Sequence, residues 1–185
     1  MFKSIDCGGS VNFTDVNNIT WTGDKDMISN GFPHQVKPCY SISDVYDTLR
    51  AFNNTRKKNC YSIKAIEGGK VLVRVGFNYG NYDGKESPPM FDLHFDGNFW
   101  ITVDTSEATS YEAIYVVKRK VISVCVARRD PDQVPFISSI EVRSIDSEAY
   151  NRIGQDFALF TNYRIGCGLY NTTRYQLLFI RRKIV

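Results

Sequence analysis

Along residues 71–104 apolar and polar side chains alternate with a period of two, broken twice by turn residues. Val71, Val73, Val75 and Phe77 fall on one side of the first run and Leu72, Arg74, Gly76 and Asn78 on the other, the spacing that buries one face of a strand. Phe91, Leu93 and Phe95 repeat it against Asp92, His94 and Asp96, and Phe99, Ile101 and Val103 repeat it against Trp100, Thr102 and Asp104. Asp96-Gly97 between two alternating runs predicts a hairpin.

The flanking sequence continues in the same style. Residues 2–9 predict a short strand closed by Gly8-Gly9, and residues 12–26 a polar loop around Trp21. That ring is either a plug over the core or, being amphipathic, a sugar platform. Gly31, Pro33 and Pro38 make residues 27–38 irregular, and residues 43–50 fit a single helical turn or a strand edge equally well. Residues 60–66 predict a strand with Gly68-Gly69 as its exit turn. Residues 111–117 and 121–127 predict an antiparallel pair around a solvated Lys118-Arg119-Lys120 turn. After a charged turn over residues 128–135, residues 135–143 complete the pattern. Seven or eight short strands with Gly, Pro, Asn and Asp at the breaks, and hardly any helical period, predict an all-β fold, a β-sandwich or jelly roll. Residues 1–147 form the module, residues 148–175 a connector of weaker alternation, and residues 176–185 a separate tail.

Size and charge narrow the picture. A chain of 185 residues, 43% hydrophobic, builds one core without staples, and a net charge of +3 with scattered Lys and Arg argues against nucleic-acid binding. Asn12, Asn18, Asn53 and Asn171 each begin an N-glycosylation triplet, which together point to an extracellular domain. Cys7, Cys39, Cys60, Cys125 and Cys167 form no C-x-x-C pair, and the two histidines, His34 and His94, stand singly, so no metal site is expected. In an oxidising compartment they predict two bridges and one spare thiol; the alternative is five buried thiols, and the pairing stays open. No charged-then-apolar leader and no run of eighteen apolar residues is present, so the expectation is a piece of a longer secreted or membrane-anchored protein, itself making no membrane contact.

Between the first two runs lies Tyr79-Gly80-Asn81-Tyr82-Asp83-Gly84, dense in aromatic, amide and carboxylate groups and the first place to look for recognition. The order and spacing of Ser4-Ile5-Asp6-Cys7-Gly8, Trp21 with Asp24, Leu49-Arg50 with Phe52, Asn59-Cys60-Tyr61, Leu72-Val73-Arg74, this loop, Pro89-Met90-Phe91-Asp92-Leu93, Trp100 and Pro135-Phe136-Ile137-Ser138 resemble the malectin-like extracellular domains of plant receptor-like kinases, especially those that also carry leucine-rich repeats. The resemblance covers nearly the whole chain. It implies a jelly roll like the animal lectin malectin, one of two tandem modules outside a single-pass kinase receptor of the plasma membrane, with this chain as the first. Where the family continues Arg-Tyr with Pro-Asp-Asp, Arg174-Tyr175 runs instead into residues 176–185. That departure implies a truncated or mis-spliced product whose Leu177, Leu178, Phe179 and Ile180 are uncovered and expected to be disordered or aggregation-prone.

Malectin binds a glucose disaccharide through aromatic rings and an acidic side chain. Tyr79, Asn81, Tyr82, Asp83 and Trp100 are the residue types that such chemistry needs: rings for the C–H faces of a pyranose, amide and carboxylate for its hydroxyls. In some plant relatives the fold binds secreted peptides and small co-receptor proteins instead. The expected partner is therefore an oligosaccharide, with a peptide or protein as the alternative and no cofactor. A third reading makes the loop a structural turn, its glycines supplying positive φ and its tyrosines packing over the sandwich edge. Catalysis is the remote class. Asp92 and Asp96 lie on one strand face roughly 13 Å apart by the strand rise, too far for a retaining glycosidase pair. Asp83 and Glu86 have no further acid–base group marked out beside them.

Overall fold

The structure, a computed structural model, describes residues 1–53, 56–150, 154, 156–165 and 176–183. Fifteen strands follow in chain order: β1 (Phe2–Asp6), β2 (Phe13–Thr14), β3 (Thr20–Gly23), β4 (Phe32–Gln35), β5 (Thr48–Ala51), β6 (Lys58–Lys64), β7 (Lys70–Phe77), β8 (Met90–Phe95), β9 (Asn98–Asp104), β10 (Thr109–Val116), β11 (Val121–Arg128), β12 (Phe136–Ile137), β13 (Ser139–Ser144), β14 (Phe157–Ile165) and β15 (Gln176–Lys183). Two short 3-10 turns, Pro38–Tyr40 and Asp44–Tyr46, precede β5.

The strands build an eight-stranded sheet in the order β15-β14-β10-β7-β13-β1-β3-β2, a four-stranded sheet β6-β11-β8-β9, and a three-stranded sheet β12-β5-β4. The first two face each other as a sandwich. Phe77 of β7 meets Phe91 of β8 at 5.6 Å between ring centroids, and Phe95 of β8 meets Tyr115 of β10 at 4.9 Å, both edge to face. These contacts follow from the alternation, because the inward positions of β7 (Val71, Val73, Val75, Phe77) and β8 (Phe91, Leu93, Phe95) are all buried. The hairpin between β8 and β9 has its two-residue turn at Asp96 and Gly97, with φ of 46° and 90°. Positive φ at both positions matches the right-handed twist of the strands.

Two stretches differ from the sequence expectation, and a third combines two open alternatives. The segment 27–38 contains β4, whose Pro33 is tolerated because β4 pairs with β5 alone at a sheet edge. Residues 43–50 satisfy both readings in succession, a 3-10 turn and then β5. The expected last strand over residues 135–143 is two strands in different sheets, parted at Ser138, whose N–H donates to Gly76 O while its own carbonyl accepts from the Cys7 N–H.

Beyond residue 147 the described residues add two strands to the eight-stranded sheet. β14 pairs antiparallel with β10, and Ala158 and Phe160 lie in the core. β15 in turn pairs along β14, so the β-prone run from Leu177 to Ile180 is a sheet edge rather than disordered chain. The physical reason is the same apolar, β-favouring composition that marked it as a hazard: beside an open strand, it pairs. One bridge forms among the described residues, Cys60–Cys125, joining directly opposite positions of β6 and β11. Cys7 is a buried free thiol and Cys39 an exposed one, while Cys167 and Asn171 lie outside the described residues.

Candidate functional site

β7 delivers the chain into the loop 78–88 at one end of the sandwich. Gly80 takes φ of 47° there, and a Cβ at this position would sit 2.3 Å from the Cβ of Val36. Only glycine lets the loop lie this close to the segment after β4, and the Gly80 carbonyl then accepts the Lys37 N–H at 2.9 Å. Asn81 and Glu86 also adopt left-handed φ, 49° and 54°.

Four of the five expected ligand residues come together here, but mainly to hold the loop itself. The Tyr79 hydroxyl donates to Asp83 Oδ1, with Asn81 Oδ1 at 3.4 Å. Burial and the Asp83 carboxylate push that phenol up to about 12. Asp83 Oδ1 also accepts from the Lys85 N–H, and Asn81 Oδ1 from the Glu86 N–H at 3.0 Å. The Tyr82 ring is half-buried against Tyr79 (5.6 Å), Phe136 (5.9 Å) and His34 (4.8 Å). Burial raises the Tyr82 phenol, with Asp83 adding to it, and burial lowers His34 against the opposing pull of Asp83. Trp100 is elsewhere. It is 3% exposed, inside the sandwich against Phe95, Tyr111 and Phe160. A bulge between Leu93 and His94 shifts the β8–β9 register by one residue, which turns Trp100 inward although the simple alternation placed it outward.

Beside the loop opens a cleft of about 520 Å³. Three separate segments wall it: residues 39–42 after β4, the loop 78–88, and residues 105–108 between β9 and β10. Tyr40 is 48% and Ile42 57% exposed. Glu86 and Glu107 contribute exposed carboxylates, and the lining contains no lysine, arginine or histidine. Asn78 braces the wall by donating from Nδ2 to the carbonyls of Tyr40 and Tyr46. Sequence reasoning missed Tyr40, Ile42 and Glu107, because nothing local marks two half-exposed apolar residues as facing a loop forty residues away.

The motif positions Asp24, Arg50 and Tyr61 meet at a different place, under β1. Arg50 donates from Nε and Nη2 to the two oxygens of the fully buried Asp24, each at 2.6 Å. Tyr61 OH donates to Asp24 Oδ2 at 2.6 Å and the Gly8 N–H to Oδ1 at 3.0 Å. This closed network staples β1, β5 and β6 together and leaves no coordination capacity for a ligand. Asp92 and Asp96 are also engaged, the first by Thr102 and Arg129, the second by Tyr115.

The sequence and the fold match a known group of proteins. The model of the malectin-like domain matches residues 5–178. The chain belongs to the malectin-like family. Among Arabidopsis thaliana relatives, the malectin-like chain is 38% identical over 176 residues to the uncharacterized protein At1g24485, covering 93% of this chain and 35% of that protein. It is 35% identical over 154 residues to the probable LRR receptor-like serine/threonine-protein kinase At2g28960, covering 80% of this chain and 17% of that one. Among solved structures, the plant receptor-like kinase FER superposes with a TM-score of 0.75 at 22% identity, over 89% of this chain and 48% of that chain. The ANX2 ectodomain gives 0.76 at 18% identity, over 89% and 48%. The chain thus spans about a third or less of these curated relatives and about half of the solved ectodomains. Among the described residues no helix is long and apolar enough to cross a membrane.

Proposed function

We propose that this chain is an extracellular, non-catalytic ligand-interaction module of a receptor-like kinase, and that it works through the cleft between residues 39–42, 78–88 and 105–108. The cleft itself carries the reading. It is a concave site with two half-exposed apolar side chains and two exposed carboxylates at the end of the sandwich, whereas the Asp24 cluster is closed on itself. Exposed Asn12, Asn18 and Asn53 support glycosylation and a secretory route, and receptor-kinase relatives support a place outside the plasma membrane in a single-pass parent.

A peptide or protein segment is the favoured ligand. The faces of Tyr79 and Tyr82 are spent on Phe136, His34 and each other, so the loop offers no open stacking platform for a sugar. A solved complex of the peptide RALF23 with FER and LLG2 shares this fold at a TM-score of 0.69, which supports peptide or co-receptor partners for the module. An oligosaccharide is the second reading, carried by the half-exposed Tyr40 ring beside Glu86 and Glu107.

Calorimetric titration of the folded chain with short peptides and with glucose and cell-wall oligosaccharides separates the two. Calorimetry suits it better than fluorescence, since Trp21 and Trp100 are both buried. Attaching a maleimide to Cys39, exposed on the cleft wall, should abolish binding in the parent chain and have no effect in Cys39→Ser. Saturable binding of oligosaccharides alone selects the second reading, and no binding of either class contradicts both.

A further inference from the structure

We propose that the cleft is specific for a cationic peptide segment, with Glu86 and Glu107 receiving a lysine or arginine, the Asn81 amide donating to a backbone carbonyl, and Tyr40 and Ile42 covering the aliphatic stem. This rests on the cleft being the ligand site. The decisive group is Asn81. It is 4% exposed and lines the cleft, and its Oδ1 is committed to the Glu86 N–H, which fixes the amide orientation. Its Nδ2 has no partner among the described residues. The N–H therefore opens on the cleft, where an acceptor from a ligand can take the place of water. The orientation does not depend on a choice of flip, because a backbone N–H only donates.

Charge selects among ligands that could supply that acceptor. Glu86 and Glu107 stand free of any lysine, arginine or histidine in the lining, and Asp47 lies behind the wall, accepting from the Ser41 hydroxyl. The lysines of the neighbourhood are turned away: Lys85 faces Asp83 at 3.8 Å, and Lys37 Nζ lies over Gly84. An anionic peptide or uronic-acid glycan entering the cleft would therefore meet two carboxylates and no cation. The chain as a whole carries +3, so attraction for a cation is a property of this site and not of the net charge. Tyr40 and Ile42 complete the match, since lysine and arginine bury an apolar stem while keeping the charged head near acceptors.

The test uses capped pentapeptides of arginine, leucine and alanine and counterparts with glutamate in place of arginine, titrated by calorimetry into the full chain. The arginine peptides should bind saturably and the glutamate peptides should not. The Glu86→Gln/Glu107→Gln variant, altered only at exposed side chains, should lose about tenfold or more of the affinity with its thermal midpoint unchanged. Raising the salt should weaken the parent and leave the variant nearly flat. Equal affinity for both peptide sets, or an unaffected double variant, overturns the cationic assignment while leaving the cleft as a peptide site. Binding of neutral oligosaccharides with no peptide binding overturns the peptide itself. Silence toward every probe, with the fold verified, overturns the site reading beneath it.

Discussion

Asp24 and Arg50 form a two-pronged ion pair inside the sandwich, each carboxylate oxygen 2.6 Å from a different guanidinium nitrogen. Its surroundings complete it: Tyr61 and the Gly8 N–H satisfy the remaining lone pairs of the carboxylate. Removing one partner strands a buried charge. Asp24→Ala should destabilise the fold by about 3–5 kcal/mol, and Tyr61→Phe by about 1.5–3 kcal/mol through loss of a hydrogen bond to a charged acceptor. Chemical denaturation of the two variants and their double mutant checks this, and strictly additive losses would show that the groups do not act as one network.

Asp6 gives the fold a pH dependence of unusual sign. Burial, only partly offset by the Thr48 hydroxyl bond, pushes its carboxyl from 3.8 up to about 6, with the Asp24 charge adding to the shift. Between these values the folded chain holds more protons at this site than the unfolded chain. Its contribution to stability is therefore full below 3.8 and is lost as the pH rises through about 6. In Asp6→Asn that slope should vanish while the Thr48 contact survives. Denaturation midpoints from pH 4 to 7 measure it, and an identical slope in both proteins would place the titration elsewhere.

Tyr82 tests whether the aromatic loop is scaffold or platform. Its ring packs on Tyr79, Phe136 and His34, so Tyr82→Ala should cost about 2–3 kcal/mol, below a fully buried aromatic truncation because the ring is only half-buried. A variant with unchanged thermal stability and lost ligand binding would instead make Tyr82 a contact residue.

The bridge between Cys60 and Cys125 spans 65 residues of sequence and should contribute up to about 4 kcal/mol by restricting the unfolded chain. The Cys60→Ser/Cys125→Ser variant should fold with the same β6–β11 register and a lower midpoint. Thiol mapping of the native parent should modify Cys39 at once and Cys7 only on denaturation, as their exposure dictates. Rapid modification of Cys7 in the folded state would contradict its burial.

Local pattern carried much of the fold. The period of two located β7, β8, β10 and β11 to within a residue or two, because one buried face per strand is written in neighbouring positions. It failed where burial is set from outside the strand. β4 carries Pro33 and mostly exposed residues, and β15 is a strand because β14 offers an edge. Trp100 was misplaced for a related reason, since a bulge reverses alternation without any mark in composition. The site was legible only in half. Tyr79 to Gly84 announced itself as a rich loop, yet its hydrogen bonds close inward, and the open capacity belongs to Asn81 Nδ2, Tyr40, Ile42, Glu86 and Glu107, which come from three segments. No spacing rule connects residue 40 to residue 107.

The cleft is a ligand site only if a ligand sits in it. Backbone amide chemical shifts of the isotopically labelled chain, followed during titration with the arginine–leucine–alanine pentapeptide, read this residue by residue. Saturating shifts should concentrate at residues 39–42, 78–88 and 105–108, with the outer face of the four-stranded sheet silent. Shifts spread over that outer face, or none at the cleft, would contradict that placement.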